Sequence, residues 1–206
     1  MFPVLREHCK FARSLFGGSR AAAAALCCSM LVTAAHAQYQ RTDLVSNQAG
    51  VAPLQDQHLV NGWGLVSLPT SPFWVSDNGT GFSTLYTAAG AQVPLFVTVP
   101  PAPSSPAGSL GMPTGVVGNI SPNPTDFTVS GDGKSGQALF IFATFDGTIS
   151  AWSPTVATDH STITADRSSV GAMYSGLAIA VNESKQAFLY AADDSPNRRV
   201  DMFDSS

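Results

Sequence analysis

Cysteine is missing from this sequence beyond residue 28: Cys9, Cys27 and Cys28 are the three cysteines of the 206-residue chain. Disulfides and Cys-ligated zinc or iron–sulfur centres are therefore excluded from everything downstream. Glutamate is almost as scarce. Glu183 is the one Glu beyond residue 37, so a general acid or base there has to be Asp or His. His58 and His160 are the two histidines of that region, both in polar stretches and far apart in sequence. No Gly-x-Ser-x-Gly elbow accompanies them, and they read as solvated loop histidines, not as parts of a Ser-His-Asp site. Basic residues are few and scattered: Arg41, Lys134, Arg167, Lys185, Arg198 and Arg199 face thirteen acids, twelve of them Asp, for a net charge of −7 beyond residue 37. Nucleic-acid binding needs a basic stripe, and none exists. No apolar run beyond residue 37 is long enough to span a bilayer.

The first 37 residues have their own grammar. Arg6, Lys10, Arg13 and Arg20 form a positive leader, residues 21–32 (AAAAALCCSMLV) a short apolar core, and Ala35-His36-Ala37 a small-x-small cleavage signature before Gln38. The reading is a secretory signal peptide over 1–37, which implies a secreted or periplasmic protein with no membrane insertion after cleavage. Cys27-Cys28 lacks the small residues that precede a lipoprotein cysteine. Export without disulfides fits a bacterial periplasm or medium, so the sequons at Asn78, Asn119 and Asn182 carry no weight.

Residues 38–206 are long enough for one domain. Residues 38–46 (QYQRTDLVS) alternate like a lone edge strand, and 47–60 form a polar loop. Short apolar runs separated by Asn/Asp/Ser/Pro/Gly turns then recur as antiparallel meanders near 59–99, 112–166 and 174–206. The middle copy carries an extra polar hairpin at 126–136, where Gly131-Asp132-Gly133-Lys134-Ser135-Gly136 mimics a phosphate loop but fails the Walker spacing and reads as a tight turn. Gly64-Leu65, Gly115-Val116 and Gly176-Leu177 open the inner runs, at intervals suited to propeller blades lengthened by loops. Glycine there allows close approach where blades converge. Trp74-Val75-Ser76-Asp77 matches Tyr190-Ala191-Ala192-Asp193, while the middle copy, Phe142-Ala143-Thr144-Phe145, puts its Asp one place later, at Asp146. The fold class expected is all-β: a partial β-propeller of about three four-stranded antiparallel blades, the third stopping after its third strand. The chain is accordingly expected to be a fragment or truncated frame that associates when alone.

The Gly-Leu-x-x-x, aromatic-x-x-Asp, apolar-x-x-aromatic pattern resembles the NHL-type blade, most clearly over 176–204. The runs LVNGWGL (59–65), FWVSDNGTG (73–81) and FATFDGTISAW (142–152) are similar to an uncharacterised family of secreted bacterial propeller proteins. That resemblance covers nearly all of 38–206, implies no known activity, and leaves Phe145 where an acidic residue is expected.

Propellers gather function at one rim of the channel, where inner strands begin and second strands end. That places Asn61, Trp63, Pro113, Thr114, Tyr174 and Ser175 near Asp77, Asn78, Asp146, Asp193 and Asp194. Asn61, Trp63, Asp77, Asn78, Asp146 and Asp193 are the candidate ligand-binding set. Two functions fit: a non-catalytic module for a small-molecule, glycan or protein ligand, or a Ca²⁺-dependent hydrolase or lyase of the lactonase-like propeller type. The first needs no cofactor. The simpler reading of the repeated Asp is that each caps its own turn. Trp63, Trp74, Trp152 and Tyr190 read as core between blades, not as a sugar platform. A convergent cluster of three unpaired carboxylate or amide groups at the channel mouth would favour the enzyme.

Overall fold

In the computed structural model, residues 39–206 are described; the signal-peptide reading of 1–37 lies outside them. Turn chemistry sets the strand ends. In the first blade, β3 (Gly62–Val66), β4 (Phe73–Asp77), β5 (Phe82–Tyr86) and β6 (Gln92–Thr98) pair antiparallel in that order, with Gly81 and Gly90 taking positive φ (75° and 82°) at the β4–β5 and β5–β6 turns. Before them, β1 (Val45–Ser46) and β2 (Leu54–Gln55) form a two-residue parallel bridge. Of the alternating run at 38–46, Val45–Ser46 forms a strand, and residues 39–44 have no ladder partner among the described residues.

The second blade runs β7 (Pro113–Gly118), then the hairpin β8 (Thr128–Gly131) and β9 (Lys134–Gln137), then β10 (Phe140–Thr144), β11 (Thr148–Trp152) and β12 (Thr162–Asp166), with sheet order β12-β11-β10-β7. Asp132 and Gly133, at φ 53° and 73°, are the two-residue turn of the inserted hairpin, as its Asp-Gly sequence predicts. In the third blade, β13 (Tyr174–Val181), β14 (Ala187–Asp193) and β15 (Arg199–Phe203) form a three-stranded antiparallel sheet. Three consecutive meanders whose inner strands β3, β7 and β13 lie side by side make this part of a β-propeller.

Period-2 alternation sends β10 into two cores at once. Phe140 and Phe142 face blade 1, where Phe140 stacks on Trp74 (centroids 4.1 Å, planes 20° apart) and Trp152 closes the cluster with Val97 and Val99. Ile141 and Ala143 face blade 3 and meet Ile149, Leu189 and Ala191. Such an aromatic stack contributes about 0.5–1.5 kcal/mol beyond area burial. Strands with blades on both faces have no solvent-facing side, which is why every residue of β10 and β11 is buried and why Thr144, Thr148 and Ser150 find hydrogen-bond partners within the fold.

Inner-strand glycine has the role expected of it. A Cβ on Gly64 would lie 2.6 Å from the Thr114 carbonyl oxygen, and one on Gly115 would collide with the backbone of Leu177. Each inner strand also carries one extra residue at the same place, between the pairs Gly62–Asp77 and Leu65–Val75, Pro113–Thr144 and Val116–Phe142, and Tyr174–Asp193 and Gly176–Ala192. This bulge bends the start of each inner strand and re-aims its side chains.

Candidate functional site

The shared register brings the beginnings of the inner strands beside the ends of the second strands, as the sequence predicts: Gly62 opposite Asp77, Pro113 opposite Thr144, Tyr174 opposite Asp193. In blade 2 the position of the repeated Asp therefore belongs to Thr144, two residues before Asp146, a displacement of two where one was expected. The Thr144 hydroxyl accepts from the Thr148 N–H at 2.9 Å, and both residues are buried. A hydroxyl thus replaces a carboxylate in holding that hairpin.

Of the six candidate residues, three gather on the rim where blades 1 and 2 meet. The Asn61 amide donates to Asn78 Oδ1 at 3.2 Å, and the Asn78 amide donates to the Pro113 carbonyl at 3.3 Å. Asn61 is exposed with φ 53°, the left-handed region that Asn tolerates better than most residues. Trp63 stands next to it, 46% exposed, its ring 6.0 Å from that of Phe145. Phe145, which precedes Asp146 where the sequence led one to expect an acidic residue, supplies the aromatic partner.

The carboxylates do not join this patch. Asp77 is fully buried; its Oδ2 accepts from the Thr84 N–H at 3.1 Å, and burial, only partly offset by that bond, pushes its pKa up to about 7. Asp146 does not cap its own turn. It reaches across to the loop at 100–112, accepting the Ala102 N–H at 2.6 Å. Asp193 accepts from the N–H groups of Met173 and Ser195 and lies 3.5 Å from the Arg199 guanidinium. Burial alone would raise its pKa, but those hydrogen bonds and Arg199 outweigh it and hold the group below the usual carboxylate range. Each carboxylate has one buried oxygen with no hydrogen-bond partner, Oδ1 of Asp77 and Asp146 and Oδ2 of Asp193. They are distributed over three blades, and among the described residues no three His, Cys, Asp or Glu side chains gather as a metal would require.

Two aromatic expectations are corrected. Trp74 and Trp152 are core, but Trp63 is not, because the bulge at 62–65 turns it to the rim, and Tyr190 lies half-buried on the face of blade 3 that no blade covers among the described residues. The loop histidine His58 is also more ordered than its setting suggested. Its Nδ1 is 2.9 Å from Asp56 Oδ1, and its ring lies 4.3 Å from that of Phe96. Asp56, buried, also accepts from Tyr86 Oη (2.7 Å) and Gln92 (2.6 Å). The Asp56-Gln57-His58 spacing was the available signal; the aromatic floor beneath it was not. His160 pairs with its neighbour Asp159 at 2.8 Å in an exposed loop. A cleft of about 300 Å³ lies elsewhere, between the second blade and the chain around β15, lined by Phe127, Ile149, Ala165, Met202 and Phe203.

No family model matches the chain, and no curated protein matches it. Among solved structures it is similar to a crystal structure of BBS1N in complex with ARL6DN, soaked with lead, at a TM-score of 0.40 and 15% identity over 75% of this chain. It spans 42% of the length of that chain.

Proposed function

We propose that this protein is an exported β-propeller of the NHL-like bacterial type that binds a ligand without transforming it, through the rim patch of Asn61, Trp63, Asn78 and Phe145. The observation that carries the reading is the exposed Trp63 indole set against Phe145 and flanked by an exposed amide. An aromatic face beside amide donors and acceptors suits a glycan or a planar polar small molecule, since such ligands have apolar faces and hydroxyl or amide edges. Trp74 and Trp152 are buried, so Trp63 is the tryptophan whose emission responds to an added ligand.

The test is a fluorescence and calorimetric titration with an oligosaccharide panel. A saturable change that Trp63→Ala abolishes, with the far-UV spectrum and melting temperature unchanged, is expected. Absence of binding across the panel, or binding indifferent to that substitution, rejects the rim as the site. Stoichiometric Ca²⁺ binding lost on substitution of Asp77 or Asp193 would instead favour the hydrolase reading. Export predicts an N-terminus at Gln38 in the mature protein, which N-terminal sequencing checks.

A further inference from the structure

The amides of the rim patch form a chain with a fixed direction. It ends on the Pro113 carbonyl, which can only accept, so Asn78 must present its NH₂ group there, at 3.3 Å. Asn78 Oδ1 is thereby turned to Asn61, which can meet it only with its own NH₂, at 3.2 Å. What remains is Asn61 Oδ1, on an exposed residue and accepting no hydrogen bond among the described residues. The free end of the chain is therefore an acceptor. Beside it stand the rings of Trp63 and Phe145, inclined at 56°. Rings so inclined cannot both lie flat on one planar ligand, whereas a compact cation seated at their junction meets an electron-rich face. No cation of the protein competes for that place. Between Arg41 and Arg167 the one Lys or Arg is Lys134, on the hairpin inserted between the ends of β7 and β10 that point away from the rim. Arg41 pairs with Asp43, next to Leu44 at the β5–β6 turn, which is also away from the rim. Arg167 lies within electrostatic reach of the Tyr174 phenol, Arg199 is held by Asp193 and Asp201, and Lys185 and Arg198 sit in turns of blade 3. His58 is turned onto Asp56 and Phe96. The ionisable residues that adjoin the patch in sequence, Asp77 before Asn78 and Asp146 after Phe145, are both acids.

We propose that the rim patch selects an amine-bearing glycan: Trp63 takes the apolar face of a sugar ring, Asn61 Oδ1 accepts from its protonated amine, and Asn78 is the positioning residue that fixes which end of the Asn61 amide meets it. This rests on the rim reading above and narrows it from glycans in general to amino sugars. A sugar hydroxyl can also donate to Oδ1. A protonated amine, however, makes a charge-assisted bond, roughly twice as strong as a neutral one. It is also drawn to the aromatic faces, as a hydroxyl is not. Together these amount to about a tenfold preference for the amine. A simple ammonium ion lacks a ring for Trp63 to cover, a neutral sugar lacks the charge, and a uronic acid brings a carboxylate that cannot donate to Oδ1. The amino sugar supplies both the apolar face and the charged donor.

The experiment is calorimetric titration of the protein with short β-1,4 oligomers of glucosamine, N-acetylglucosamine and glucose, which share a backbone and differ in the substituent at the 2-position. The buffer is acidic enough to keep the amine protonated. Glucosamine oligomers should bind about tenfold tighter than the other two series, and Trp63→Ala should abolish binding. Asn61→Gly, which accepts the φ of 53° and removes Oδ1, should bring the three series toward parity. Asn61→Asp, which offers a carboxylate oxygen in its place, should widen the preference. Asn78→Ala frees the Asn61 amide to turn and should narrow the preference with circular dichroism unchanged, a shift in selectivity that a merely structural role would not give. Equal affinity for the three series, lost in Trp63→Ala, overturns amine selection and leaves the rim as the site. A glucosamine preference unmoved by either Asn61 substitution overturns it too, since attraction to the acidic chain at large would then account for it. Tetramethylammonium binding as tightly as the glucosamine oligomer overturns the part assigned to the sugar ring. Absence of binding in all three series rejects the rim reading itself, and amine selection with it.

Discussion

Asp77 and Asp193 hold the same register position in their blades, opposite Gly62 and Tyr174, yet solvation and partners divide them. Asp77 has one N–H donor and no cation, and burial raises its pKa to about 7, above the unfolded value near 3.8. Between those two pH values the folded state holds a proton that the unfolded state has released, so stability falls as pH rises through the window. The loss is on the order of 3–4 kcal/mol for a fully buried group. Asp77→Asn keeps the acceptor for Thr84 and needs no ionisation. It should flatten that limb and stabilise the protein at pH 8 relative to wild type, read from urea midpoints at pH 5 and pH 8. Asp193 has the opposite sign: its folded pKa is depressed, so its contribution is present above the unfolded value and is lost as pH falls. Asp193→Asn should cost about 1 kcal/mol at pH 7 and nothing at low pH, measured the same way. The repeated Asp was visible in the sequence. Its solvation was not, because that depends on Thr84, Arg199 and the depth of the turn, which no local pattern records.

At the scale of elements, strands were legible wherever turn residues bracket an alternating run, as in β4, β5, β11 and β15. The inserted hairpin was legible from Asp132-Gly133. Three things were not. Residues 38–46 alternate like a strand, but only Val45–Ser46 finds a partner among the described residues, and a strand needs a partner as well as a pattern. The bulge at the start of each inner strand adds one residue without a compositional mark, and it is what carries Trp63 from the expected core to the rim. The tie from Asp146 to Ala102 spans 44 residues and joins a Pro-rich loop to the second blade, a contact that neither segment announces. Glycine was read correctly because its reason is steric and local. Gly115→Ala forces a methyl into the backbone of β13 and should destabilise by about 1–3 kcal/mol, whereas Gly176→Ala, with open space before it among the described residues, should be neutral. Urea titration of both variants checks the contrast.

Among the described residues, the second blade is covered on both faces by neighbouring blades and the first and third on one each. Local opening should follow that order. Hydrogen exchange is expected to be slowest at the amides of β10 and β11, and faster by orders of magnitude at β15 and at the 45–55 bridge; uniform protection through all three blades would contradict this arrangement. The two-sided burial of β10 also bears on how the chain avoids errors as it folds. A slip of one residue in that strand would send Phe140 and Phe142 toward the space now filled by Ile141 and Ala143 against Leu189 and Ala191, and Ile141 and Ala143 toward the ring of Trp74. One side would be overfilled and the other left with a void, so a single misalignment is penalised twice. A strand with one polar face would register such a slip only once; β10 is proofread from both sides, and it sets the alignment of the blades on either side of it.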